Sequence, residues 1–162
     1  MKDMADWEAE FCEYFEARVL PLRRFAYALC GDWHLAEDLV QHTFTQLYRH
    51  WRRLDGATLE AYTRRVLVNA FLNSRRARRH EQVVADVPDR ATPATDPGGD
   101  VLALLAQLPP RQRVLIALRY LDDLSVGDTA TAAGISEGAV KSQTSRGLSA
   151  LRGLLTPRPV EE

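Results

Sequence analysis

Apolar positions recur along this chain with a period near 3.6 in one segment after another, and no segment alternates strictly as a half-buried strand would. Trp7, Phe11, Phe15 and Val19 share one helical face. Pro21 would break that helix but suits the first turn of a second, which carries Leu22, Phe25, Ala26 and Leu29 and stops at Gly31. Asp32 predicts the N-cap of a third helix, with Ala36, Leu39, Val40, Thr43, Phe44, Leu47 and Trp51 as its apolar stripe. After a loop from Leu54 to Ala57, Thr58 is placed to cap a fourth helix that runs to about Arg79.

The pattern then fails. Residues 81–100 hold three prolines, two glycines and five acids with no sustained period, which predicts a flexible acidic linker. Beyond it the helical period returns. Val101, Leu102, Leu104, Leu105 and Leu108 form a short apolar helix, and Pro110 opens another that carries Val114, Leu115, Leu118 and Leu121. Ser125 caps a helix ending at Gly134, and Ser136 caps a last one from Glu137 to about Leu155. The expected fold is all-α: two small helical domains, 1–80 and 101–156, joined by the linker 81–100 and followed by a tail, 157–162.

The last two helices have the local chemistry of a helix-turn-helix. Ala130 and Ala133 allow close crossing, Gly134 tolerates a positive φ, and Ile135 fills the angle between the helices. Val140, Thr144 and Leu148 face inward, which leaves Glu137, Lys141, Ser142, Ser145 and Arg146 on a face that could enter a major groove. A plain helical hairpin with exposed cations is the competing reading.

Charge sharpens the picture for the first domain. The chain carries a net −1, yet residues 1–40 hold four basic and nine acidic side chains, whereas residues 41–80 hold nine arginines and two acids. Arginine outnumbers lysine 19 to 2, and its planar fork suits phosphates and base edges. The fourth helix concentrates Arg64, Arg65, Arg75, Arg76, Arg78 and Arg79, with Tyr62, Asn69, Phe71 and Asn73 interleaved. Cations, aromatics and amides in that mixture suit single-stranded nucleic acid, although Tyr62 and Phe71 also fit core positions.

Four motifs in order complete the reading: His34–Phe44 (HLAEDLVQHTF), Arg64–Arg79 (RRVLVNAFLNSRRARR), Leu108–Ser125 (LPPRQRVLIALRYLDDLS) and Gly138–Arg152 (GAVKSQTSRGLSALR). Together they resemble a bacterial sigma factor of the extracytoplasmic-function type, in the style of the actinobacterial branches, with sigma region 2 in the first domain and region 4 in the second. The resemblance implies that Glu37, Asp38 and Gln41 dock on the β′ coiled coil of core RNA polymerase, with the β subunit also contacted. It implies that the segment from Leu54 onward reads the −10 element, through Asp55, Tyr62, Arg65, Asn69, Asn73 and Arg76. Glu137, Lys141, Ser142, Ser145 and Arg146 would face the −35 element. The implied partners are core polymerase, promoter DNA and an anti-sigma factor. Gln143, Thr129, Val68 and Asn73 depart from the commonest residues of the family, so promoter sequence does not carry over.

Other classes fare worse. A helix-turn-helix regulator that never joins polymerase is the main alternative. An enzyme is not expected: the chain lacks a glycine-rich phosphate loop, HExxH and CxxC. His34, His42, His50 and His80 offer no i, i+4 pair for a metal, Cys12 and Cys30 read as core thiols, and neither a cofactor nor a metal is expected. No secretory signal or membrane span is visible, so a cytoplasmic location is expected.

Overall fold

The computed structural model describes residues 4–84 and 99–156, the side chains of 79–84 and 99–100 excepted. The middle of the expected linker (85–98), the tail from Pro157 and the side chains of Arg79 and His80 therefore lie outside the described residues. Everything regular among the described residues is helical.

The first block is built from α1 (Met4–Cys30), α2 (Trp33–His50) and α3 (Gly56–Val84), with a 3₁₀ turn at Trp51–Arg53. The two helices expected on either side of Pro21 are one continuous helix. Pro21 and Ala17 are both exposed, so the Ala17 carbonyl that loses its N–H partner faces water and the break costs less than it would in a core. Gly31, at φ 69°, ends α1, and Asp32 caps α2 by accepting from the His34 and Leu35 amides. The cap of α3 is Asp55 and not Thr58. Its carboxylate accepts from the Thr58 amide at 3.0 Å and from the Thr58 hydroxyl at 3.0 Å. At its other end α3 runs on to Val84, past the boundary expected at residue 80.

The second block contains α4 (Gly99–Ala106), α5 (Pro110–Ile116), α6 (Val126–Ala133) and α7 (Glu137–Leu155). A π turn, Ala117–Leu121, extends α5, with the Asp122 amide donating to the Ala117 carbonyl. Ser125 and Ser136 cap α6 and α7, and Gly134 takes the left-handed turn at φ 68°. Leu115, Ala130 and Val140 form the small core of the helix-turn-helix, with Ile135 packed against it.

The two blocks do not sit apart. One core cluster contains Leu67, Val68 and Phe71 of α3 together with Val114, Ala117 and Leu118 of α5 and the π turn, Leu124, and Ala132 of α6. Arg113 is 3 % exposed at this junction. Its guanidinium donates to the carbonyls of Leu105, Ala106 and Leu108 in its own block and, at 2.6 Å, to that of Leu29 at the end of α1. These are carbonyls at or just beyond the C-terminal ends of α4 and α1, where helix dipoles favour a cation. Burial, with the nearby Arg75 charge, lowers the pKa of Arg113 to about 10, so it remains charged at neutral pH. At the rim, Arg64 Nε donates to Asp122 Oδ2 at 3.0 Å.

Candidate nucleic-acid interface

Tyr62, Arg65, Asn69, Asn73 and Arg76 follow one another at three- or four-residue spacing along α3, which places them on one face. All are exposed except Tyr62, which is half-buried beside His50 with ring centroids 6.1 Å apart. Leu67, Val68 and Phe71 occupy the opposite face and are fully buried. Phe71 is thus a core residue. Asn69 points to solvent and is not consumed as a local cap.

At the head of this stripe, Asp55 is engaged as the helix cap, and hydrogen bonding from Thr58 holds its carboxyl below the usual carboxylate range. Asp55 and Gly56 also border a cavity of about 420 Å³ whose walls include Trp7, Glu10, Trp51 and Arg52. Arg52 lies over the Trp7 ring, 5.0 Å from its centroid, and the Trp7 indole N–H is buried without a hydrogen-bond partner among the described residues. Sequence reasoning missed Trp7, Glu10 and Arg52 because the cavity forms only where the start of α1 meets the turn before α3. The one available signal was an arginine beside Trp51, next to a glycine-containing loop.

On α2, Glu37, Asp38 and Gln41 are exposed, opposite the buried Ala36, Leu39, Val40, Thr43 and Phe44. Glu37 is held by Arg23 at 2.8 Å, and the Arg23 guanidinium also lies over Trp33, 4.9 Å from the ring centroid. On α7, Glu137, Lys141, Ser142, Ser145 and Arg146 are all exposed, while Val140, Thr144 and Gly147 are buried. Glu137 leans toward Gly127 at the start of α6. Lys141 and Ser145 line a groove of about 260 Å³ that continues past Ser149 to Arg152 and across to Arg119 and Tyr120. Arg152 follows Lys141 by three helical turns, so extending the sequence stripe would have found it; Arg119 required the fold.

These faces are exposed and polar. They offer cations, amides, hydroxyls and, on α2, carboxylates. Among the described residues no group of three or more His, Cys, Asp and Glu side chains is placed to hold a metal ion.

Residues 15–81 match the family model for Sigma-70 region 2, and residues 99–151 match that for Sigma-70, region 4. The chain belongs to the sigma-70 family. The RNA polymerase sigma-E factor of Streptomyces coelicolor is 35% identical over 94% of this chain and 89% of that protein. The ECF RNA polymerase sigma factor SigL of Mycobacterium tuberculosis is 30% identical over 85% of this chain and 84% of its own length. Among solved structures, the sigma factor RpoE of Bartonella quintana, determined with the anti-sigma factor NepR, is 28% identical, with a TM-score of 0.79 over 90% of this chain and 96% of that one. This sigma factor is therefore of the extracytoplasmic-function type, an RNA polymerase sigma factor with regions 2 and 4. No described helix is long and apolar enough to cross a membrane.

Proposed function

We propose that this sigma factor joins core RNA polymerase through the exposed face of α2 and directs it to promoters by reading two DNA elements. The α3 stripe (Tyr62, Arg65, Asn69, Asn73, Arg76) with the cavity at its head addresses the −10 element. Glu137, Lys141, Ser142, Ser145 and Arg146 on α7 address the −35 element. One observation carries the assignment. Each polar set lies on the solvent side of a helix whose other side is core, so that, Glu37 and the half-buried Tyr62 apart, its side chains remain open to a partner. The work is recognition with no catalytic step, and it belongs in the cytoplasm beside the polymerase. The likeness to a sigma factor solved with an anti-sigma factor supports a regulator of that class as a further partner.

The cavity supports the reading of a melted strand. Its 420 Å³ is roomy enough for one planar base, its walls include Trp7, Trp51 and Arg52, and a base that displaced Arg52 from the Trp7 ring would find an indole face to stack on.

The test is at the docking face. Because Arg23 already neutralises Glu37, Asp38 is the carboxylate left to meet a basic partner surface. Asp38→Arg is expected to fold normally and to lose core polymerase in a pull-down, since a like-charge juxtaposition costs several kcal/mol. Unchanged binding by the folded variant removes the docking assignment. Sequence-specific repression or activation without any binding of wild-type chain to polymerase would favour the simple helix-turn-helix regulator.

A further inference from the structure

The first turns of α3 are held to α1 by polar bonds. Tyr14 O–H donates to Glu60 Oε1 at 3.1 Å, and its oxygen lies 2.9 Å from Thr63 Oγ1. Arg18 Nη2 donates to Glu60 Oε2 at 2.5 Å. Arg18 Nε is buried and unpaired among the described residues, so the guanidinium is held at its other end by Glu60. The Arg64 guanidinium lies 3.8 Å from the same Glu60 oxygen. Thr63 is fully buried beneath this network, and the Tyr14 ring packs against Phe44 and Trp51.

Glu60 precedes Asn69 by nine residues, and at ~100° per residue the two lie on opposite sides of α3. The network therefore stands directly behind the DNA-reading stripe. Along the helix its support changes in kind. Behind Tyr62 and Arg65 stand Glu60, Thr63 and Arg64, whereas farther on the inward residues are Leu67, Val68 and Phe71. Apolar burial is non-directional and tolerates a small rotation. Hydrogen bonds weaken steeply once misaligned. A turn of ~20° about the axis moves a side chain ~6 Å from that axis by about 2 Å, enough to lose a hydrogen bond to a base or phosphate.

We propose that Tyr14, Arg18 and Glu60 are positioning residues for the −10 interface: their bonds fix the rotation of the first turns of α3, and so the direction in which Tyr62 and Arg65 leave it. The inference rests on the −10 reading given above. None of the three lies on the stripe itself or on the docking face of α2.

Glu60→Ala removes the acceptor that Tyr14 and Arg18 share, and the test is its coupling to the stripe. The full-length chain is assayed with core polymerase for open-complex formation on duplex promoter. In the wild-type background, Arg65→Ala and Asn73→Ala are each expected to lower it about tenfold. In the Glu60→Ala background, Arg65→Ala is expected to lower it less than about threefold, because Arg65 is already misdirected. Asn73→Ala, at a part of the helix where Phe71 is the inward residue, is expected to keep its full effect. Damage to the fold as a whole would not separate the two positions. If Glu60→Ala does not fold, Tyr14→Phe is read in the same way, since it keeps the ring and loses only the hydroxyl. Full and additive costs of Arg65→Ala in both backgrounds overturn the positioning role, and so does equal shrinkage at Arg65 and Asn73. If Arg65→Ala and Asn73→Ala are both silent in the wild-type chain, the −10 reading fails and takes this inference with it, an outcome distinct from additivity.

Discussion

Asn69 shows how much a single exposed amide can be asked to do. It lies midway along the α3 stripe, between Arg65 and Asn73, and presents both a donor and an acceptor to solvent. Asn69→Ala is expected to fold as wild type and to lower open-complex formation on duplex promoter about tenfold, the equivalent of one lost base contact. A pre-melted bubble should restore only part of the loss. Complete rescue would mean that Asn69 aids melting without reading a base; wild-type behaviour on both templates would remove it from the interface. At this scale the sequence was legible where the interaction is local. Asp32, Ser125 and Ser136 each cap their own helix within three residues, and Gly134 turns in place. Asp55 and Thr58 were confused because the two bond to each other, and only geometry tells which of them is the cap. Arg113 was invisible because its decisive acceptor, Leu29, is 84 positions away.

Elements were legible wherever a stripe, a cap and a stop agreed. They failed at α1, where Pro21 was given the weight it has in a buried helix although it sits on a wet face. Gly147 was missed for the opposite reason. It lies in the middle of α7, where glycine is unfavourable by about 1 kcal/mol relative to alanine, and the helix pattern gives no reason for it. The fold does. A Cβ there would meet Ile116 Cδ1 at 2.7 Å, so the absence of a side chain lets α7 cross α5 closely. Gly147→Leu is expected to destabilise the second block by about 1–3 kcal/mol through overpacking. Thermal unfolding followed by circular dichroism measures it. An unchanged midpoint would mean that α5 and α7 have slack that the packing does not suggest.

Across the whole molecule, the sequence divided the chain into two blocks but did not bring them together. The division was readable from composition; the shared core was not, because Phe71 and Leu118 are equally ordinary as core residues of separate domains. The packed body and the acidic first forty residues have a joint consequence. On the function proposed above, both DNA faces would be carried on that one body, and the nine acids of that segment oppose the approach of phosphates. The isolated chain is expected to bind promoter duplex weakly, with affinity falling steeply as salt rises, and the polymerase complex to bind tightly. Fluorescence anisotropy at physiological salt separates the cases. Tight, sequence-specific binding by the chain alone would contradict both the packed body and its charge distribution.

The π turn at Ala117–Leu121 carries a consequence of another sort. A π turn is an α-helical turn with one residue inserted, and an inserted residue rotates all that follows by about 100° around the axis. The approach of Asp122 to Arg64 across the junction is therefore set by how many residues precede it, and not only by which residue it is. A deletion of one position between Ala117 and Leu121 would leave composition, charge and hydropathy almost untouched and still turn that carboxylate away. Inheritance of the junction in related chains is thus a matter of helix register, and a substitution-by-substitution comparison would not see it lost.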